Sequence, residues 1–346
     1  MSPSNQQGGL GGAGLKLARL LVALGLVLVL FFGLLSIELP YLVVEPGPTR
    51  NVAELLEIEG PTHPSRGSFI MVTALIKATG GVTVPAALGA FFDPDRDLVA
   101  RESVFPRGAS RTQTDRVHDA QMSESQQEGA VAALAELGMS SRPDGAFVRE
   151  TSGTSPAARV LRPGDVITRA GKARIVRLAD LTAEIGKRRP GGVVELAVRR
   201  DGRIREFRVK TVEDPRSGKA RIGVVVIQNR ELPVPIRATA GDVGGPSAGL
   251  MFALSVYDSL TPGDLTGGKI IAGTGTITNP GKRTGLVGAV GAVSQKIRGA
   301  DQGRAEIFLV PAEEADDARE AAGGKMRVIA VSTLPQAVKV LEKLSR

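Results

Sequence analysis

Cysteine and tryptophan are absent from the 346 residues, histidine occurs twice, and aromatic residues make up 3%. Without cysteine there is no disulfide, no thiolate nucleophile and no cysteine-ligated metal. His63 and His118 lie in polar sequence, too few for a histidine metal site and poorly placed for a Ser-His triad. No metal is expected. The scarcity of aromatics leaves few platforms on which bases stack, so no nucleic-acid partner is expected either. There is no G-x-x-x-x-G-K-[ST] motif, and no cofactor is expected. What remains is 42% hydrophobic and 23% charged, a globular composition long enough for two or three domains.

One long uncharged run does occur. Residues 20–37, "LLVALGLVLVLFFGLLSI", follow Lys16 and Arg19 and precede Glu38 and Glu45. About 18 such residues are enough to cross a bilayer core. The basic pair before the run and the acids after it predict a cytoplasmic tail and an exported body. A secretory signal has a shorter apolar region, about 7–15 residues, and an A-x-A-like cleavage site, which is missing here. Residues 1–38 are therefore expected to be a tail and a transmembrane anchor. The tail, residues 1–14, is rich in Gly, Ser and Gln and reads as disordered.

Residues 39–122 read as a β-containing extension: "GSFIMVTALI" alternates like a strand and "GVTVPAALGAFF" continues in that style. Next, "SESQQEGAVAALAELG" has Ser123 and Gln126 spaced as a capping box. It places Ala130, Ala133, Leu134 and Leu137 on one helix face, with Gly138 as the stop. The formal charge of +8 sits mostly in residues 159–210, with 15 Lys/Arg against 6 Asp/Glu. A solvated face explains this, and so does contact with anionic lipid near a membrane.

Residues 144–211 alternate short strands with Gly and Pro turns around one helix at "LADLTAEIGK". "GAFV", "SPAARVLRPGDVIT", "LADLTAEI" and "VVELAVRRDG" resemble PDZ domains. The resemblance implies a β-rich module, residues 123–213 with the preceding helix, that adds an extended peptide to a sheet edge. By resemblance the peptide loop includes Gly145, Ala146, Phe147 and Val148, with Gly-Ala-Phe where the family usually has Gly-Leu-Gly-Phe. A rigid spacer or gate is the alternative role. Residues 214–346 then alternate strands ("RIGVVVI", "KIIAGTGTI", "AEIFLVP", "MRVIAVS") with helices, an α+β pattern.

The stretch "DVGGPSAGLMFALSVYDSL" puts Ser247 between glycines at the start of an apolar helix. Three readings are open: a plain helix start, a phosphate cradle, or a nucleophile whose oxyanion is stabilised by N–H groups near the helix N-terminus. A nucleophile needs a base, and lysine serves only if its pKa, normally near 10.4, falls by about 3.4 units. Burial among apolar groups does this. A helix through "GAVSQKIRGADQG" sets Ala292, Val293, Gly299 and Ala300 around Lys296. Lys339 has charged and polar neighbours instead, and Lys282 lies in the turn-like "NPGKRTG".

"GGPSAGL", "GTGTI" and "GLVGAVGAVSQKIRGADQG", in this order, resemble the proteolytic domain of Lon, a Ser-Lys peptidase. With "PYLVVEPGP" and "QMSESQQEGAVAAL", nearly the whole chain is similar to bacterial membrane-anchored proteins that join a PDZ domain to a Lon-type domain. The resemblance implies an α+β fold like ribosomal protein S5 domain 2. It also implies Ser247 as nucleophile, Lys296 as base, Thr274 orienting the lysine, and Gly245, Pro246 and Ala248 as the oxyanion loop. The implied protein is a single-pass protein of the bacterial cell membrane. Its extracytoplasmic body hydrolyses exported or membrane-adjacent proteins without ATP, with homo-oligomers common in the family. Two positions depart: Gly244 stands where Lon usually has Asp, and Thr276 where it has an acid, while "NPGKRT" (279–284) reads as inserted. A silent PDZ scaffold and a phosphoryl-transfer enzyme of the galactokinase type are the rival readings.

Overall fold

A computed structural model of the protein describes residues 10–77, 81–93, 95–105, 111–153, 155–239, 243–278 and 285–345. The chain divides into two compact units, residues 1–45 with 76–106, and residues 46–75 with 107–346.

In the first unit the helix Leu10–Leu35 carries the uncharged run. Among the described residues no helix is long and apolar enough to cross a membrane, which overturns the expected transmembrane anchor. The helix ends too soon. Ser36 closes it, its N–H and hydroxyl both donating to the Phe32 carbonyl, at 3.1 and 2.8 Å. The uncharged stretch inside the helix, residues 20–35, is thereby two residues shorter than the run 20–37 read from the sequence. Of the tail expected to be disordered, residues 1–9 lie outside the described residues, and helix begins at Leu10.

The same unit includes the antiparallel pairings of Glu38–Leu39 with Val82–Thr83 and of Tyr41–Pro46 with Asp97–Ala100. Val43, Val82 and Ala90 form its core. "GVTVPAALGAFF", expected to be extended, folds instead as the helix Val84–Phe92 with proline in its first turn. Proline fits there because its missing N–H has no intrahelical partner at that position.

The second unit contains two larger sheets, besides two-stranded pairings such as Thr276–Thr278 with Leu286–Gly288. One is antiparallel, in the order Arg203–Lys210, Val193–Arg200, Val166–Ala170, Arg142–Thr151, Val224–Glu231, with the short strand Ala173–Arg174 beside Val166–Ala170. Its core includes Ala146, Ile167, Leu181, Val194 and Leu196. The strand Val224–Glu231, read from sequence as the start of the next domain, completes this sheet by pairing with Arg142–Thr151. Some of the module's basic residues are ion-paired. Arg162 pairs with Asp201, Arg169 with Glu206, Arg199 with Asp144, and Arg200 with Asp165. The first three pairs are partly exposed, whereas Asp165 is fully buried.

The other sheet runs Arg327–Val331, Ile307–Pro311, Ile270–Gly273, Ser68–Met71, Arg50–Asn51. Its first four strands are parallel and only the last pairing is antiparallel. The expected α+β segregation is corrected to a mixed α/β arrangement, because helical crossovers connect the parallel strands. Ser68–Met71 reaches this sheet from a sequence position expected to belong to a separate extension.

One helix, Arg111–Glu136, replaces the shorter one predicted to start at Ser123. Ser123 is mid-helix, its hydroxyl donating to the Asp119 carbonyl at 3.0 Å, so no capping box forms there. The stop at Gly138 does form, at φ +77 with the Met139 N–H on the Leu134 carbonyl at 2.8 Å. The helix buries Val131 and Ala132 as well as Ala130, Ala133 and Leu134. It lies against the helix Gly249–Leu260 so closely that a Cβ at Gly129 would stand 2.7 Å from the Gly249 carbonyl.

Candidate active site and peptide groove

Peptide capture was assigned from sequence to Gly145, Ala146, Phe147 and Val148. These residues lie in the central strand Arg142–Thr151, where Phe147 is registered with Val166 on one side and Ile227 on the other. No edge is left for an added strand, and Ala146 and Val148 are wholly buried. Strand addition needs an unpaired edge, which these residues do not offer. The edge strand is Val224–Glu231, and a cavity of about 480 Å³ opens between it and the helix Leu178–Gly186. Leu181, Ile185, Gly223, Val224 and half-exposed Val225 line it. The missed signal was "RIGVVV": Gly223, at φ +76, turns the chain into an exposed apolar strand.

The serine loop is clamped from two sides. Gly245, at φ +94, donates its N–H to the His118 carbonyl at 3.0 Å, and the Ser125 hydroxyl donates to the Pro246 carbonyl at 2.8 Å. From the opposite side, the Gly275 N–H and the Thr274 hydroxyl donate to the Ser247 carbonyl at 2.8 and 3.2 Å. The helix begins at Gly249 with Ala248 as N-cap and no side-chain capping bond. Ser247 is therefore not a helix cap. Of the three residues expected to supply oxyanion donors, Gly245 has its N–H engaged by His118 and Pro246 has none. Ala248 remains, with the N–H of Ser247 itself.

Lys296 sits on the helix Val293–Gln302, which starts from Ala292 in the left-handed conformation at φ +56. The lysine is 5% exposed, Val293 is 8% exposed and Ala300 is fully buried. Burial lowers its pKa from 10.5 to about 8, opposed by the charge of Glu314. Glu314 ends the short 3-10 turn Ala312–Glu314. In the structure its carboxylate accepts the Val290 N–H at 3.0 and 3.1 Å, holding the turn that leads to Ala292. Burial raises the Glu314 pKa in turn.

The strand Ile270–Gly273 links the two elements. Ala272 packs in one cluster with Val293 and Ile297 of the lysine helix. A Cβ on Gly273 would stand 2.6 Å from the Met251 sulfur of the serine helix. The chain then passes directly to Thr274, which is 1% exposed. Gly244, where an acid was noted as missing, lies against the neighbouring helix: a Cβ there would meet the His118 Cβ at 2.7 Å. No aspartate fits that position without a backbone shift. The segment read as an insertion, 279–284 with Lys282, lies outside the described residues.

The antiparallel sheet with its flanking helix is a PDZ domain, and residues 121–211 match the PDZ domain family. The match ends before the edge strand Val224–Glu231. Among solved structures, the PDZ domain of the SdrC-like protein from Listeria monocytogenes is similar at 23% identity, covering 24% of this chain and 88% of that one, with a TM-score of 0.24. The corresponding domain from Listeria innocua has 22% identity, covering 25% and 97%, at the same score. A solution structure from Geobacillus thermodenitrificans has 22% identity, covering 24% and 95%, with a TM-score of 0.22. No curated protein matches the chain.

Proposed function

We propose that the chain is a PDZ-containing serine endopeptidase in which neutral Lys296 takes the proton of Ser247. The serine oxygen then attacks a peptide carbonyl, forming an acyl-enzyme and releasing an amine protonated by the lysine; water completes the hydrolysis. The observation that carries this reading is the burial of Lys296, which holds its pKa near the range a base needs at neutral pH. The Ala248 and Ser247 N–H groups stabilise the tetrahedral oxyanion. Thr274 fixes the serine backbone through its bond to the Ser247 carbonyl. The PDZ groove beside Val224–Glu231 holds an extended segment of a protein substrate.

A second reading, a peptide-binding scaffold without hydrolysis, is favoured by the open groove at the PDZ edge. The test compares the purified chain with its Ser247→Ala and Lys296→Met variants on unfolded model proteins, without added nucleotide. Cleavage by the parent chain alone supports the dyad. Equal cleavage by all three assigns the activity elsewhere, and no cleavage with retained peptide binding supports the scaffold.

A further inference from the structure

Beside the serine loop lies a second cavity, of about 260 Å³, which the proposed mechanism does not use. Four segments distant in sequence wall it: Glu124 and Glu128 from the helix Arg111–Glu136, Arg149 from the central PDZ strand, Pro246 from the serine loop, and the strand Thr276–Thr278. Ser125, on the same helix, fixes the Pro246 carbonyl at 2.8 Å, one residue before Ser247. The cavity is thus built into the support of the candidate nucleophile.

Glu150 lines the cavity as well, so three carboxylates, Glu124, Glu128 and Glu150, share it with one guanidinium, Arg149. Glu124 and Arg149 form a two-pronged ion pair and neutralise each other. Glu128, half-buried on the same wall, has no hydrogen bond or ion pair among the described residues. Burial first, and the Glu124 charge second, push its carboxyl from 4.5 up to about 7, with Arg149 pulling the other way. A carboxylate in that position is stabilised by an entering cation that brings its own hydrogen-bond donors.

Size and surroundings narrow the ligand. Sites for whole small molecules span about 300–1,000 Å³, so this one is matched to a single long side chain. Among the described residues, Thr276–Thr278 pairs on one side only, with Leu286–Gly288. Its other edge suits an extended peptide backbone, which would carry that side chain.

Building on the hydrolase reading, we propose that this cavity is a specificity pocket for a lysine or arginine side chain of the substrate, with Glu128 reading its charge. Neutral side chains of similar length fill the same space but leave the Glu128 carboxylate without a partner.

The test measures binding to the full chain carrying Ser247→Ala, so that its result does not depend on cleavage. The probes are fluorescent peptides with acetylated and amidated ends, which offer the PDZ groove no terminal carboxylate. Lysine or norleucine is scanned through each position, and affinity is read by anisotropy at about pH 8. At one position lysine is expected to bind about tenfold more tightly than norleucine. Adding Glu128→Gln lowers that ratio, adding Glu150→Gln as well brings it to about one, and adding Arg149→Gln, which frees the Glu124 charge, raises it. Equal affinity at every position overturns the proposal, as does a preference that Glu128→Gln leaves undiminished. A preference in a chain whose parent form cleaves nothing upholds the pocket and removes the hydrolase reading; cleavage without preference does the reverse.

Discussion

The hydroxyl of Thr274 donates to the backbone carbonyl of Ser247 at 3.2 Å, joining the end of a central strand to the loop that presents the serine. The same carbonyl also accepts the Gly275 N–H at 2.8 Å, so the threonine refines the loop's position rather than creating it. Thr274→Val is expected to cost about 0.5–1.5 kcal/mol of stability and to lower kcat/KM roughly tenfold. Thr274→Ser retains most of both. Thermal unfolding and initial rates on one peptide check the pair; unchanged rates in the valine variant argue against a positioning role.

Lys296 sets both a pH profile and a stability profile. Its folded pKa of about 8 lies below the unfolded value of 10.5, so the unfolded chain binds more protons between those pH values. Folding is therefore penalised below about pH 8 by about 3 kcal/mol, and the penalty fades as pH rises to about 10.5. Lys296→Met is expected to be inactive yet more stable than the parent at pH 7, with the difference shrinking toward pH 10. Denaturant melts across that range measure it.

Glu314 acts on the same lysine with the opposite sign. Its carboxylate favours the charged amine, so Glu314→Gln is expected to move the acid limb of kcat/KM to lower pH. Glu314→Ala also releases the Val290 N–H and is expected to lower the maximal rate as well. Identical limbs in the parent and Glu314→Gln chains would show that this carboxylate does not tune the base.

Gly244→Asp, which restores the acid seen in Lon, is expected to destabilise the protein by about 1–3 kcal/mol through its clash with His118. His118→Gly should recover much of that loss in a double-mutant cycle. Additive effects would mean that the two residues do not compete for space.

At the PDZ edge, Val225→Asp places a charge on a half-exposed apolar wall of the groove. Peptide binding is expected to weaken about tenfold, near 1.4 kcal/mol, with little change in melting temperature. The corresponding change at Val148, in the filled centre of the sheet, should unfold the module instead. Titration calorimetry and circular dichroism separate the two results.

Sequence alone determined what is local. "SPAARVLRPGDVIT" and its turns marked the PDZ module, Gly138 ended its helix, and the small residues around Lys296 announced a buried amine, because neighbours three and four apart on a helix are in contact. Tertiary structure decided what depends on partners far along the chain. It carried Ser68–Met71 into the C-terminal sheet and Val224–Glu231 onto the PDZ edge, filling the edge first assigned to peptide. It also set Glu314 behind Val290, and it packed His118 against Gly244. Alternation marks a strand such as Ser68–Met71 but not its partner, and pairing and close backbone approach are non-local, so only the folded chain reveals which residues meet.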